Sequence, residues 1–282
     1  VVERRDDAPW TERVVTFGAH GGLVGILTVP TRPSGAPRAM LMANVGTHHR
    51  VGPYRLWVDM ARALAADGWH VLRFDHAGLG DSAPRPDAVH GDAEGARDLR
   101  EAMDWLAARH GIASFSLVGF CSGVDAAHVV AVEDARVAAA AFIDGHSYPT
   151  AGHRLRRVLR LSQGPRWSRW LSRRLRQLQP GALTRAELAR DGASVFDRRP
   201  PTRRRFRADV ASLAARGTRL LFVFTGTADP RFSAPRQLFE TLGRGVPCTG
   251  IAVERYAEAD HLFSAVAHRT ALVARLRAWA AG

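Results

Sequence analysis

The chain has 282 residues, enough for one large domain with an insertion, or for a domain plus a small cap, and it can bury a full core. No apolar run approaches the length of a membrane span, and residues 1–7 lack a signal-peptide core, so we expect a cytoplasmic protein. The two cysteines are far apart, which argues against a disulfide scaffold or a zinc ribbon.

The formal net charge is +13, and every basic residue is an arginine. The absence of lysine excludes Schiff-base chemistry and a Walker-type phosphate loop. The excess charge is concentrated between residues 151 and 219, where 19 arginines face 4 acidic residues. The basicity therefore belongs to one segment of the chain.

Strand-like and helix-like patterns alternate along most of the chain, beginning with a hairpin. The predicted strands cover 12–18, 21–30, 38–44, 69–74, 113–119, 137–143, 220–225 and 248–255. The predicted helices cover 53–67, 92–110, 123–131, 234–242 and 262–281. This alternation predicts an α/β fold, with a mostly parallel central sheet and helices on both faces.

The alternation stops between residues 147 and 217, which contain no convincing strand. Apolar residues at helical spacing there predict two basic amphipathic helices. The predicted organisation is a core in two parts, 1–146 and 218–282, with an arginine-rich helical insertion, 147–217, between them.

The stretch Gly119-Phe120-Cys121-Ser122-Gly123 lies between a predicted strand and a predicted helix. Gly-x-Cys-x-Gly has the form of a nucleophile elbow with cysteine in place of serine, and the tight turn explains both glycines. The N-terminus of the following helix favours a thiolate and a developing oxyanion. The alternative is a buried structural cysteine beside two loop glycines.

Two further reactive side chains follow predicted strands, Asp229 and then His261. A thiol needs an imidazole to take its proton, and that imidazole needs a carboxylate to orient it. The order nucleophile, acid, histidine is that of α/β-hydrolases, so Cys121, Asp229 and His261 are the predicted triad. Asp144, also at a strand end, is the runner-up for the acid, although a turn aspartate before Gly145 is the simpler interpretation.

The backbone N–H groups of Ser122 and Thr47 are the predicted oxyanion hole. His48, Asp144 and His146 are predicted to line the substrate pocket. We expect no metal, because no carboxylate or cysteine stands at ligand spacing from the histidines. We expect no cofactor either: Gly78–Ala83 formally matches a dinucleotide fingerprint, but prolines follow where its helix would begin.

Several motifs carry a family resemblance. They are Val45-Gly46-Thr47, Gly52-Pro53-Tyr54, Phe74-Asp75-x-x-Gly78-x-Gly80-x-Ser82 and Ala259-Asp260-His261. Residues 12–146 and 218–282 resemble the α/β-hydrolase superfamily, near the serine-aminopeptidase-like (S33-type) hydrolases. The run 50–55 together with a cysteine elbow resembles the exosortase-A-associated hydrolases. Dienelactone hydrolases and polyhydroxyalkanoate synthases also have cysteine at this elbow. The resemblance implies a Cys121–Asp229–His261 triad and names no substrate.

These observations predict a hydrolase that cleaves an acyl ester or thioester through an acyl-cysteine intermediate. One alternative is an acyltransferase that moves the acyl group from a CoA or carrier-protein thioester to an amine or alcohol. The other is a non-catalytic binding protein on the same fold.

An insertion after the sixth strand of the α/β-hydrolase fold lies over the active site, so residues 147–217 resemble a cap or lid domain. Three interpretations of this arginine-rich cap stay open. It is a lid with solvated arginines, a docking surface for an acyl carrier protein or a CoA phosphate, or a surface that lies on an anionic membrane. Trp167 and Trp170 beside arginines have an interfacial composition. Nucleic acid is not expected, because no reading motif accompanies the basic run 203–205.

Overall fold

Eight strands form one sheet in the order β1-β2-β4-β3-β5-β6-β7-β8. They are Trp10–Phe17 (β1), Leu23–Pro30 (β2), Ala39–Met42 (β3), His70–Phe74 (β4), Phe115–Phe120 (β5), Val137–Ile143 (β6), Arg219–Thr225 (β7) and Ile251–Tyr256 (β8). This computed structural model describes residues 8–32, 35–42, 44, 46, 48–87, 92–162, 200–228 and 231–282.

The directions of the strands agree with the predicted hairpin and with the predicted alternation of strands and helices. β1 pairs with β2, and β2 with β4, in antiparallel fashion, whereas every pair from β4 to β8 is parallel. The central strands β3 and β5 are buried along their whole length, as parallel strands covered on both faces must be. The predicted α/β fold with a mostly parallel sheet is confirmed.

Seven helices of the described residues pack around the sheet. They are Leu56–Ala66 (α1), Asp92–His110 (α2), Gly123–Glu133 (α3), Ala151–Ser162 (α4), Arg203–Ala215 (α5), Arg236–Leu242 (α6) and Val266–Ala281 (α7). One core cluster contains apolar residues of α1 and α7, and a second contains those of α2, α3 and α5. The parallel sheet is thus covered on both faces, as predicted.

Helix α5 lies within the predicted cap segment but packs as a core helix. Its apolar residues Phe206, Val210 and Leu213 are fully buried in the cluster that contains Phe142 and Phe222 of the sheet. The cap boundaries themselves stay a prediction, because residues 163–199 lie outside the described residues.

The turn between β5 and α3 leaves no room for a side chain at Gly119. A Cβ added there would lie 2.7 Å from the Gly123 carbonyl oxygen and 2.8 Å from the Val124 Cα. Both atoms belong to the backbone, so the turn itself would have to move. We expect Gly119→Ala to lower the free energy of unfolding by about 1–3 kcal/mol, measured by thermal or urea unfolding.

Gly22→Ala is the matched control, because an added Cβ there meets the side chain of Ala83 at 3.3 Å. A Gly119→Ala protein as stable as the wild type would show that the turn is not sterically closed.

Candidate active site

Cys121 occupies a strained turn at the carboxyl end of β5. Its φ is 52°, in the left-handed region that non-glycine residues rarely adopt. Gly123 is required for the same reason as Gly119, since a Cβ on it would lie 2.8 Å from the Asn44 carbonyl oxygen. The Cys121 N–H donates to the carbonyl of Ile143 at 2.9 Å, which fixes the turn to the end of β6. This geometry has the form of the predicted elbow.

The structure brings Cys121 and His261 together. Their side chains form a hydrogen bond, and His261 in turn contacts the carboxylate of Asp144. Hydrogen bonds to Asp144 and Cys121, together with their negative charge, raise the pKa of His261 to about 9 against the opposing effect of burial. The imidazole is therefore poised to hold a proton next to the sulfur at neutral pH.

Asp144 is the carboxylate on His261. Its Oδ2 lies 2.7 Å from the imidazole Nδ1. Thr225, at the end of β7, donates its N–H to Oδ1 at 2.7 Å and its hydroxyl to Oδ2 at 2.6 Å. The Asp144 side chain is 4 % exposed, so these donors replace water around the charge. A carboxylate anchored on both oxygens can fix the ring orientation of the histidine.

The sequence predicted Asp229 for this position and ranked Asp144 second. Asp144 reaches His261 because it directly follows β6, the neighbour of β5, and its φ of 48° turns the chain there. The assignment to Asp229 stays a prediction. Asp229 lies outside the described residues. In the sequence, the pair Asp144-Gly145 favoured an ordinary turn. The position of β6 beside β5 would have favoured Asp144 as the carboxylate that contacts His261.

Ser122 has a role that the sequence analysis missed. Its hydroxyl accepts a hydrogen bond of 2.8 Å from the N–H of Gly46, in the loop that follows β3. Asn44, in the same loop, donates to the carbonyl of His48 at 2.7 Å. The elbow therefore holds the loop in which an oxyanion donor was predicted. Thr47, the predicted donor, lies outside the described residues.

His49, Asp75 and Asp81 are the one group of described residues with metal-ligand atoms close together, within 4.8 Å of one another. In the sequence no carboxylate stands at ligand spacing from His49, but the fold brings Asp75 and Asp81 beside it. The expectation of no metal stays a prediction. Arg50 donates to both carboxylates, with a distance of 2.6 Å to Asp81. Because the Arg50 guanidinium supplies positive charge to both carboxylates, this group is a salt-bridge network. It joins the loop that follows β3 (the β3 loop) to the loop that follows β4.

The three residues predicted to line the substrate pocket lie in different surroundings. His48 is exposed, and Asp144 is the partner of His261. His146 is buried and lines a cleft of about 160 Å³ between α3 and α5, whose other lining residues include Asp125, His128 and Asp209. Cys121 and His261 are not among the residues that line this cleft. His146 as a substrate-pocket residue stays a prediction.

Part of the arginine-rich segment is described. Helix α4 leaves Leu155 and Leu159 exposed, and α5 begins with the arginines of the basic run 203–205. Trp167 and Trp170 lie outside the described residues. In the part of the chain that the structure describes, no helix is both long and apolar enough to span a membrane.

Comparisons with known proteins agree with this architecture. The profile of the α/β-hydrolase-fold family matches residues 46–180. An esterase from Pyrococcus furiosus superposes with a TM-score of 0.64 at 14% identity, covering 99% of this chain and 94% of its own. The esterase domain of a Rhodothermus marinus protein gives a TM-score of 0.55 at 22% identity, with 96% and 98% covered. The chain thus has the α/β-hydrolase fold.

A serine hydrolase without a lid from Xanthomonas campestris is also similar, with a TM-score of 0.52 at 19% identity over 95% of this chain and 93% of its own. A comparison with curated protein sequences gave no significant match.

The contact between Asp144 and His261 gives a direct test of which carboxylate acts. We expect Asp144→Asn to lower kcat for an activated ester by about 10²–10⁴-fold, because the amide no longer stabilises an imidazolium. Asparagine tolerates a positive φ, so the fold should survive, which circular dichroism checks.

Asp229→Asn is the matched comparison and should change kcat far less. If Asp229→Asn lowers kcat strongly while Asp144→Asn keeps the wild-type kcat, the assignment of Asp144 is contradicted.

Proposed function

We propose that the protein is a hydrolase that cleaves an acyl ester or thioester through an acyl intermediate on Cys121. The single observation that supports this most is the unbroken line of contacts from the Cys121 thiol through His261 to the buried Asp144. The strained φ of Cys121 adds support, since strain of this kind is characteristic of residues held for chemistry.

Each residue has a defined step in this mechanism. His261 accepts the thiol proton, and the sulfur attacks the acyl carbonyl carbon, whose oxygen takes up the negative charge. His261 then donates that proton to the departing alcohol or thiol as the bond to the carbonyl carbon breaks, leaving an acyl-cysteine. In the second half, His261 takes a proton from water and the resulting hydroxide attacks the acyl carbon. The bond to sulfur breaks, the carboxylic acid is released, and the departing sulfur recovers the proton from His261.

Asp144 keeps the imidazole in the orientation that presents Nε2 to the sulfur, because Nδ1 is held by the carboxylate. It also stabilises the imidazolium, which accounts for the raised pKa of His261. The proton that His261 takes from Cys121 leaves the sulfur as a thiolate, the reactive form.

The N–H of Ser122, together with the loop after β3, is the proposed oxyanion site. Ser122 is the first residue after the nucleophile and the N-cap of α3, and N–H groups at a helix start have no partner four residues earlier in the helix. The bond from Gly46 to the Ser122 hydroxyl fixes the distance between the two sides of this site. Thr47 stays a proposed second donor.

The two cysteines allow an internal test of thiol activation. Cys248 is exposed, whereas Cys121 is only partly exposed, so accessibility alone would favour Cys248. Pairing with His261 should reverse this preference, since an ordinary thiol is only a few per cent ionised at neutral pH. We expect iodoacetamide at pH 7 to alkylate Cys121 at least about tenfold faster than Cys248, measured by peptide mass spectrometry.

His261→Ala should remove the advantage of Cys121 and leave Cys248 unchanged. Equal labelling of the two cysteines in the wild type, or fast labelling of Cys121 without the imidazole, would refute an activated nucleophile.

A further inference from the structure

Five non-glycine residues in the part of the chain that the structure describes have a positive φ, a strained backbone conformation. Two are Cys121 and Asp144. The other three are Tyr54, Arg55 and Phe263, which the proposed mechanism does not use. Since such conformations persist only where surrounding contacts enforce them, these three positions call for an explanation.

Phe263 belongs to the His261 loop, residues 257–265, which joins β8 to α7. The loop is compact because the Asp260 carboxylate accepts from the N–H of Leu262 at 2.9 Å and from the N–H of Ser264 at 3.1 Å. Phe263 is fully buried and forms edge contacts with Phe120 and Tyr256. His261 projects between these two anchors and packs against Phe120 at a centroid distance of 5.2 Å.

Arg269, in the first turns of α7, holds the same loop from its other end. Its Nη1 donates to the carbonyl of Phe263 at 3.0 Å and to the carbonyl of Ser264 at 2.5 Å. The guanidinium also lies 5.5 Å from the ring centroid of Tyr54. A cation over an aromatic face within this distance is attracted to it.

Tyr54 comes from the opposite side of the site. It belongs to the loop that follows β3, the same loop whose Gly46 is bonded to Ser122. Its φ of 48°, followed by 66° at Arg55, turns the chain sharply before α1. Arg269 thus links the β3 loop to the His261 loop, and these two loops flank Cys121.

We propose that Tyr54 and Arg269 form a clamp that positions His261 against Cys121. Arg269 fixes the carbonyls that follow His261 in the chain, and the Tyr54 ring limits where the guanidinium can lie. Both are positioning residues that act through His261. This inference rests on the proposed function, because it assumes that the pairing of His261 with Cys121 matters for catalysis.

The test is the pH dependence of Cys121 alkylation by iodoacetamide in Arg269→Ala. A loosened His261 should raise the apparent pKa of the thiol toward its ordinary value of about 8.5 and slow alkylation at pH 7 about tenfold. For an activated ester, kcat should fall by a similar factor while KM stays within about twofold, since substrate contacts are retained.

Arg275→Ala is the matched control on the same helix. It removes the ion pair with Glu254, which lies within β8 rather than in the His261 loop, and should keep the wild-type alkylation profile. Tyr54→Ala, at a 57 % exposed position, should reproduce the shift even if Arg269→Ala folds poorly. Tyr54→Phe should keep the wild-type alkylation profile, because the aromatic ring that meets the guanidinium is kept.

If Arg269→Ala and Tyr54→Ala alter only the melting temperature and keep the alkylation midpoint and kcat of Arg275→Ala, the clamp is overturned. If instead the wild-type thiol itself titrates near 8.5 and is insensitive to His261→Ala, the proposed function fails first. The two failures are therefore distinguishable.

Discussion

The turn between β5 and α3 is the constraint on which the candidate site depends. Cys121 keeps a left-handed backbone there because Gly119 and Gly123 let the chain reverse without contact between side chains and backbone. The same turn fixes the Cys121 N–H on Ile143 and the Ser122 hydroxyl on Gly46. One local conformation thus places the sulfur, orients the neighbouring N–H and holds the loop opposite.

Sheet topology supplies the other parts. β5 lies between β3 and β6, so the loops that leave these three parallel strands meet at one edge of the sheet. Asp144 follows β6 and bonds to Thr225 of β7, while His261 arrives from the loop after β8. Asp144 is therefore anchored by two strands of the core, β6 and β7. His261 lies on a loop, so its position depends on the contacts that hold that loop.

The sequence predicted the alternating elements well, because buried parallel strands and amphipathic helices leave periodic apolar patterns. Cys121 and His261 could be picked out as candidates because the elbow is a local motif and because the order of nucleophile and histidine can be read along the chain. Asp144 ranked second to Asp229, because the sequence does not show which strand lies beside β5. The carboxylates near His49 were missed, as was the role of Ser122, because these contacts join residues from separate loops.

The central claim is that Cys121 carries the acyl group during turnover. The most direct measurement is intact and peptide mass spectrometry after rapid acid quenching of the protein with p-nitrophenyl acetate. We expect one acetyl group on Cys121 in the wild-type protein and none at that position in Cys121→Ala. Turnover with no adduct on Cys121, or an adduct on Ser122 instead, would contradict it.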